Sequence, residues 1–315
     1  MSNYVTLSTI GAKEPDFSPL PKNFSAYEKE IKAELQRQID LMLCDKPDLI
    51  ILPECANRYV PNTRPELKEY YKYLGDSIVE FLKPIAIDNN TNIAYSAVRY
   101  TGIDEPKPYR NSTVYIGRKG EICGVYDKNH LVIEENTELD IKYGTEAKLI
   151  ELDFGKVASA ICFDLNFDEL LDKYKPQKPD LIVFCSMYHG GYMRQAQWAY
   201  TCRCYLASAV GELQSSIINP YGDIVAKSTI YTKHTSAQIN LDYALCHFDY
   251  NREKIWAAKK KYKEALTVHD PDLVGSVMLS CESDDMTVHD IISEFEIEKL
   301  DDYLNRARAH RRTNL

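Results

Sequence analysis

The sequence predicts a mixed α/β fold in which two sheets are covered by outer helices. Three observations carry that reading. Apolar strand-like runs alternate with amphipathic helix patterns early in the chain, and hairpin signals take over in the middle. No Pro/Gly/Ser-rich linker and no repeat of roughly 20–50 residues divides it. The 315 residues can bury a sizeable core without a disulfide or metal staple. The expectation is one domain over 1–315, with its core at about 4–242 and a C-terminal extension at about 243–315.

The first strand is predicted over 4–10, YVTLSTI. A helix follows at about 25–43, where Ser25 and Glu28 read as a capping box and Tyr27, Ile31, Leu35 and Ile39 repeat on one face. The run at 48–52 is short and almost wholly apolar, which suits a strand covered on both faces. A second helix is predicted over about 66–82, with Leu67, Tyr71, Leu74, Ile78 and Phe81 as its stripe. Strands are predicted at 92–98, 112–117 and 121–126, the last two joined by the turn RKGE. LIELDFGKVASAIC reads as two further strands about a glycine-containing turn. A short helix at about 167–174 leads to a strand at 180–186 and a helix at about 191–203. Strands follow at 205–210, 215–219 and 224–228, the last pair turning at NPYGD, and 236–242 closes a sheet. A last helix is predicted at about 289–309, whereas residues 243–290 give no clear pattern.

The formal net charge of −9 and the pI near 5.4 argue against nucleic acid and anionic membrane as partners. The basic clusters at 259–263 and 306–312 are short, flanked by acidic residues, and read as solvated helix faces. Nine cysteines, an odd number without a CxxC pair, do not make a disulfide framework; reduced thiols and a cytoplasmic setting are expected. The N-terminus lacks the basic and apolar regions of a signal peptide, and no apolar run approaches the ~18 residues of a membrane span. The seven histidines form no HxxxH or HxH pair with a carboxylate, Cys202 and Cys204 read as helix packing, and GxGxxG and P-loop motifs are absent. No metal and no organic cofactor are expected.

Three polar residues follow apolar runs at strand ends: Glu54 after LIILP, Lys128 in GVYDKNHL and Cys162 in VASAICFD. Singly, each reads as a loop carboxylate, a surface lysine and a core thiol. Together they supply a base, an electrophile and a nucleophile for acyl transfer. A carboxylate near its usual pKa is a weak base for a thiol, so burial is expected to raise Glu54 and ease the transfer.

Those residues, in that order and context, resemble the nitrilase superfamily of carbon–nitrogen hydrolases. LIILPE, NSTVYIGRKGEICGVYDKNHL and FGKVASAICFD match its three motifs, and SSIINPYGDIVAKS matches a late strand-turn-strand segment, so the match covers about 4–242. The resemblance implies a four-layer α-β-β-α sandwich and a Glu-Lys-Cys triad of Glu54, Lys128 and Cys162. It also implies a second, positioning glutamate, placed at Glu138 with Glu135 as second choice, and an oxyanion donor in the Phe163 N–H. Tyr188 and His189 fall where the family lines its pocket, and Arg110 is a further candidate for an anionic group. The implied substrate is a small amide or nitrile, cleaved at a non-peptide C–N bond through a thioester. The implied assembly is a homodimer or higher homo-oligomer, which the C-terminal segment could serve. Two departures bear on substrate: Asn166 stands where an arginine that holds a carboxylate is common, and Asp168 where a proline is common. An acyltransferase using the same thioester and a non-catalytic scaffold are the rival readings.

Overall fold

The computed structural model describes residues 2–11, 23–58, 63–102, 106–188, 191–211, 213–272 and 274–315. The chain divides into two compact units, Thr6–Ala237 and Met1–Val5 with Gln238–Leu315. The first half of the larger unit runs β1 (Tyr4–Ile10), α1 (Phe24–Leu43), β2 (Leu49–Ile51), α2 (Arg64–Leu74), α3 (Ser77–Asp88), β3 (Asn92–Tyr100), β4 (Tyr109–Ile116), β5 (Ile122–Asp127) and α4 (Ile133–Thr137). The second half runs β6 (Ile150–Leu152), β7 (Gly155–Ile161), α5 (Asp168–Tyr174), β8 (Leu181–Ser186), α6 (Tyr192–Cys202), β9 (Tyr205–Val210), β10 (Ser216–Ile218), β11 (Ile224–Lys227) and β12 (His234–Asn240).

Two six-stranded sheets result, ordered β12-β1-β2-β3-β4-β5 and β11-β10-β9-β8-β7-β6. In the first, β1, β2 and β3 are parallel, and β4 and β5 return antiparallel. In the second, β7 to β11 repeat that plan. The sheets face each other: the hydroxyls of Tyr115 and Ser159 lie 2.6 Å apart, and Thr9 Oγ1 donates to Ser208 O at 2.6 Å. The apolar runs at β2 and β8 are fully buried because both faces are covered. α1 to α3 cover one sheet, their stripe of Tyr27, Ile31, Leu35, Leu67, Tyr71 and Ile78 packing on Ile50 and Ile93. α5 and α6 cover the other through Leu170, Tyr174 and Trp198. This is the four-layer α-β-β-α sandwich that the motifs imply.

Local differences have local causes. Ser25 and Glu28 form no capping box. Asn23 caps α1, its Oδ1 accepting from Ala26 N at 2.9 Å, while Glu28 accepts from Lys32 at 2.6 Å, from Tyr73 at 2.8 Å and from Ser77. The helix expected over 66–82 is two helices, because Gly75 turns the chain at φ +49 and ends α2.

In the smaller unit, β13 (Tyr243–His247), β14 (Leu266–His269) and β15 (Ser276–Cys281) form an antiparallel sheet with β15 in the centre. α7 (Arg252–Tyr262) and α8 (Val288–Glu294) share its core through Ile255, Leu266, Leu279 and Ile291. α9 (Leu300–Thr313) stacks Tyr303 on His247 at 4.1 Å. Here the expected helix at 289–309 is also broken in two, where Glu296 adopts φ +51 and Ile297 turns into the core. The segment 243–290 lacked a pattern in the sequence because its elements are short, and three of its strands pair only with one another.

Candidate active site

Glu54 follows β2 in a tight turn tied to β3. Ala56 N donates to Ser96 O at 3.0 Å, and Asn57 Nδ2 donates to Val98 O at 2.9 Å. Lys128 follows β5, its backbone held on both sides: its N–H donates to Asn111 O and its carbonyl accepts from Gly144 N, each at 2.8 Å. Gly144 permits this approach, since a Cβ there would lie 2.1 Å from Asp127 O. Cys162 follows β7 at φ +47, a left-handed conformation that costs a non-glycine residue about 1 kcal/mol. The 3₁₀ turn Cys162–Asn166 begins there.

Asp164 fixes that turn. Fully buried, it accepts from Ile161 N at 3.0 Å and from Tyr126 OH at 2.8 Å through Oδ2, and from His130 N at 2.7 Å through Oδ1. His130 Nδ1 lies 3.1 Å from the same Oδ1, and its ring stacks on Phe167 at 4.0 Å. The Cys162 turn and the segment on either side of Lys128 are therefore joined through one carboxylate.

Lys128 and Asn111 bridge two carboxylates. Lys128 Nζ donates to Glu54 Oε1 at 2.9 Å and to Glu135 Oε2 at 2.8 Å. Asn111 Nδ2 donates to Glu54 Oε1 and to Glu135 Oε1, each at 2.8 Å. The remaining Glu54 oxygen accepts from Met187 N at 3.1 Å, and Glu135 Oε2 accepts also from Val132 N at 2.8 Å. Glu54, Lys128, Glu135 and Cys162 all line one cavity of about 180 Å³.

Burial favours a neutral Glu54, but the Lys128 charge and the hydrogen bonds from Lys128 and Asn111 outweigh it and hold the carboxyl below its ordinary value. This corrects the expectation that burial raises Glu54. Burial also disfavours a charged Lys128, yet Glu54 and Glu135 hold its proton and its pKa stands above the usual range. The Cys162 thiol is pushed up to about 11, by burial first and then by the Glu54 carboxylate, with Lys128 opposing. In this arrangement the resting sulfur carries its proton.

The glutamate beside Lys128 is Glu135. Glu138 is the C-cap of α4 and is half exposed, with its carboxylate 2.8 Å from Arg64 Nε. Phe163 sits in the turn after Cys162, its ring edge-on to Phe167. Tyr188 lines the cavity and is 45% exposed. His189 lies outside the described residues. Arg110 lines a different cavity, beside Asp127 and Lys142. Asn111, Asp164 and the Met187 N–H were not singled out from sequence. Asn111 opens the motif that ends at Lys128, and Asp164 is the acid of Ile-Cys-aromatic-Asp, so both were within reach of the same comparison. Among the described residues no group of three or more His, Cys, Asp or Glu is placed to hold a metal ion, and no helix is long and apolar enough to cross a membrane.

Residues 29–244 match the family model described as carbon-nitrogen hydrolase. An omega-amidase NIT2 of Xenopus tropicalis is 24% identical over 219 residues, which span 62% of this chain and 77% of that protein. The crystal structure of Saccharomyces cerevisiae Nit3, from branch 10 of the nitrilase superfamily, superposes with a TM-score of 0.57 at 16% identity, covering 83% of this chain and 95% of that one. An amidase variant from Nesterenkonia sp. AN1, with the acetamide moiety of fluoroacetamide added covalently at its active-site cysteine, gives a TM-score of 0.58 at 16% identity over 76% and 91% of the two chains. The motifs, the sandwich and the matched family model agree: this chain belongs to the carbon-nitrogen hydrolases.

Proposed function

We propose that the protein hydrolyses a small amide at a non-peptide carbon–nitrogen bond through a thioester on Cys162. The observation that carries this is the Lys128 ammonium held between Glu54 and Glu135 in the cavity that Cys162 lines. Glu54 accepts the thiol proton as Cys162 Sγ bonds to the carbonyl carbon. Lys128 and the Phe163 N–H take the developing oxyanion. As Lys128 turns toward that oxygen its hold on Glu54 weakens, the carboxyl becomes more basic, and proton transfer from the raised thiol becomes easier. The carbon–nitrogen bond then breaks, Glu54 returns the proton to the leaving nitrogen, and ammonia or an amine departs. Glu54 next takes a proton from water, whose oxygen attacks the thioester carbon. The carbon–sulfur bond then breaks, the acid is released, and Glu54 returns its proton to the Cys162 sulfur. Glu135 positions Lys128 throughout.

The omega-amidase among the relatives favours an amide over a nitrile, and the cysteine adduct in the amidase of similar fold is consistent with covalent chemistry at the sulfur. Nine unpaired cysteines suit a reducing, cytoplasmic setting. The test is a panel of small amides, carbamoyl compounds and nitriles, followed by ammonia release and intact mass. The expected result is an acyl adduct that is absent in Cys162→Ala. Lack of ammonia and of any adduct across the panel would overturn the reading.

A further inference from the structure

We propose that the Ser186 hydroxyl is a catalytic hydrogen-bond donor to the Cys162 sulfur, serving it whenever the sulfur is without its proton. This deepens the hydrolase reading above and rests on it. β7 and β8 are parallel neighbours, with Ile161 paired to Cys185. Neighbouring strands lie about 4.8 Å apart, so the residues that follow that pair, Cys162 and Ser186, lie side by side where the strands end. The backbone of Ser186 is fixed. Its carbonyl accepts from Gly211 N at 2.8 Å on the β9 side, and the next N–H, that of Met187, donates to Glu54 at 3.1 Å. The strand that carries the hydroxyl is thus pinned to the carboxylate that takes the thiol proton.

Ser186 is fully buried, and its Oγ makes no hydrogen bond of ordinary geometry with any described residue. Burying a hydroxyl without a partner costs stability, a cost that an alanine would avoid. The group on which this hydroxyl acts is the sulfur. Burial and the Glu54 carboxylate push the Cys162 thiol up, and Lys128 and the Ser186 hydroxyl oppose them. A thiol is a weak acceptor and a thiolate a strong one. The hydroxyl therefore gains its full partner only when the S–H bond breaks and the proton passes to Glu54. Lys128 cannot serve the sulfur throughout, since it turns to the oxyanion during the attack. Ser186, held on its strand, keeps its donor on the sulfur. When the carbon–sulfur bond of the thioester breaks, the electron pair returns to the sulfur, and the same donor stabilises it until Glu54 returns the proton. Ser186 itself gives up no proton.

The experiment alkylates Cys162 with iodoacetamide from about pH 8 to about pH 10 and follows the Cys162 peptide by mass spectrometry, alongside urea unfolding and ammonia release from the amide panel. At each pH, Ser186→Ala should react about fivefold more slowly than the wild type. The lost hydrogen bond to a charged sulfur leaves about tenfold less thiolate, offset in part by the greater nucleophilicity of a more basic sulfur. The urea midpoint of Ser186→Ala should stay level or rise, because no partnered hydroxyl is lost, and a merely structural serine would not give that combination. Its kcat should fall about fivefold with KM little changed. Ser186→Thr, which keeps the hydroxyl, should recover most of the alkylation rate. An alkylation rate in Ser186→Ala equal to that of the wild type, with ammonia still released, overturns the role of Ser186 and leaves the hydrolase reading standing. No ammonia and no adduct across the panel overturns the hydrolase reading, and with it the catalytic use of Ser186, even where the alkylation rate falls.

Discussion

Asp164 holds His130 by two contacts, accepting from its backbone N–H at 2.7 Å and lying 3.1 Å from its ring Nδ1. His130 is two residues beyond Lys128, and Asp164 two beyond Cys162. The spacing between sulfur and ammonium is therefore set by a buried carboxylate that touches neither. Asp164→Asn replaces one acceptor oxygen with a donor that faces donors. The expected cost is about 2–4 kcal/mol of stability and at least a tenfold loss in the rate of Cys162 acylation. Urea unfolding and single-turnover mass spectrometry would measure the two. Unchanged acylation would show that the spacing is held by other contacts.

The two candidate glutamates separate cleanly. Glu135→Gln removes the second carboxylate from Lys128, and kcat should fall about 100-fold, comparable with the loss of an oxyanion donor. Glu138→Gln removes only a half-exposed pair with Arg64, which is worth little in water. Its kcat should stay within about threefold. Equal losses in steady-state assays of the two variants would overturn the assignment.

Lys128→Met leaves two carboxylates facing each other in a buried site. Near pH 7 the variant should be less stable by about 3–5 kcal/mol. The sign of the pH dependence follows from Glu54, whose folded pKa is depressed in the wild type. The wild type therefore has that stability above the ordinary carboxylate range and loses it as pH falls through the folded value. The variant has no such stability to lose, because Glu54 without the Lys128 charge is no longer held below its ordinary value. The gap between the two proteins in urea unfolding should narrow steadily as the solution is acidified, and a gap that widens would contradict the pairing.

Cys162 gives two independent readouts. With its thiol pushed up to about 11, alkylation by iodoacetamide should quicken with pH well beyond the range of a free cysteine near 8.5, without a plateau at neutrality. Its φ of +47 makes a separate prediction. Cys162→Gly should be more stable than Cys162→Ala by about 1 kcal/mol, since only glycine takes that conformation without strain. Alanine proving the more stable in denaturant titrations would remove the argument for strain at Cys162.

Much of this site was legible before any coordinates. Glu54, Lys128 and Cys162 each interrupt an apolar run at a strand end, and runs of that kind are fixed by burial. β9, predicted at 205–210, spans Tyr205–Val210 in the structure for the same reason. Glu135 was harder to distinguish from Glu138. Both lie on one turn of helix in an acidic loop, and which of them faces Lys128 depends on where α4 docks. The depressed pKa of Glu54 is not legible in the sequence, because its sequence neighbours report burial alone. The opposing cation and amide come from β4 and the end of β5, more than fifty positions away. The break after α2 was hidden in the same way: the apolar stripe continues across Gly75 on either side of a turn.

The repeated strand plan of the two sheets has a consequence for how the protein could be divided. β2 in one sheet and β8 in the other hold corresponding places, and the residues that follow them, Glu54 and Met187, meet through a hydrogen bond at 3.1 Å. One half of the sandwich contributes Glu54 and Lys128, and the other contributes Cys162. Severed between Glu146 and Ile150, the fragments should each be inert, and catalysis should return only on mixing, in proportion to reassociation.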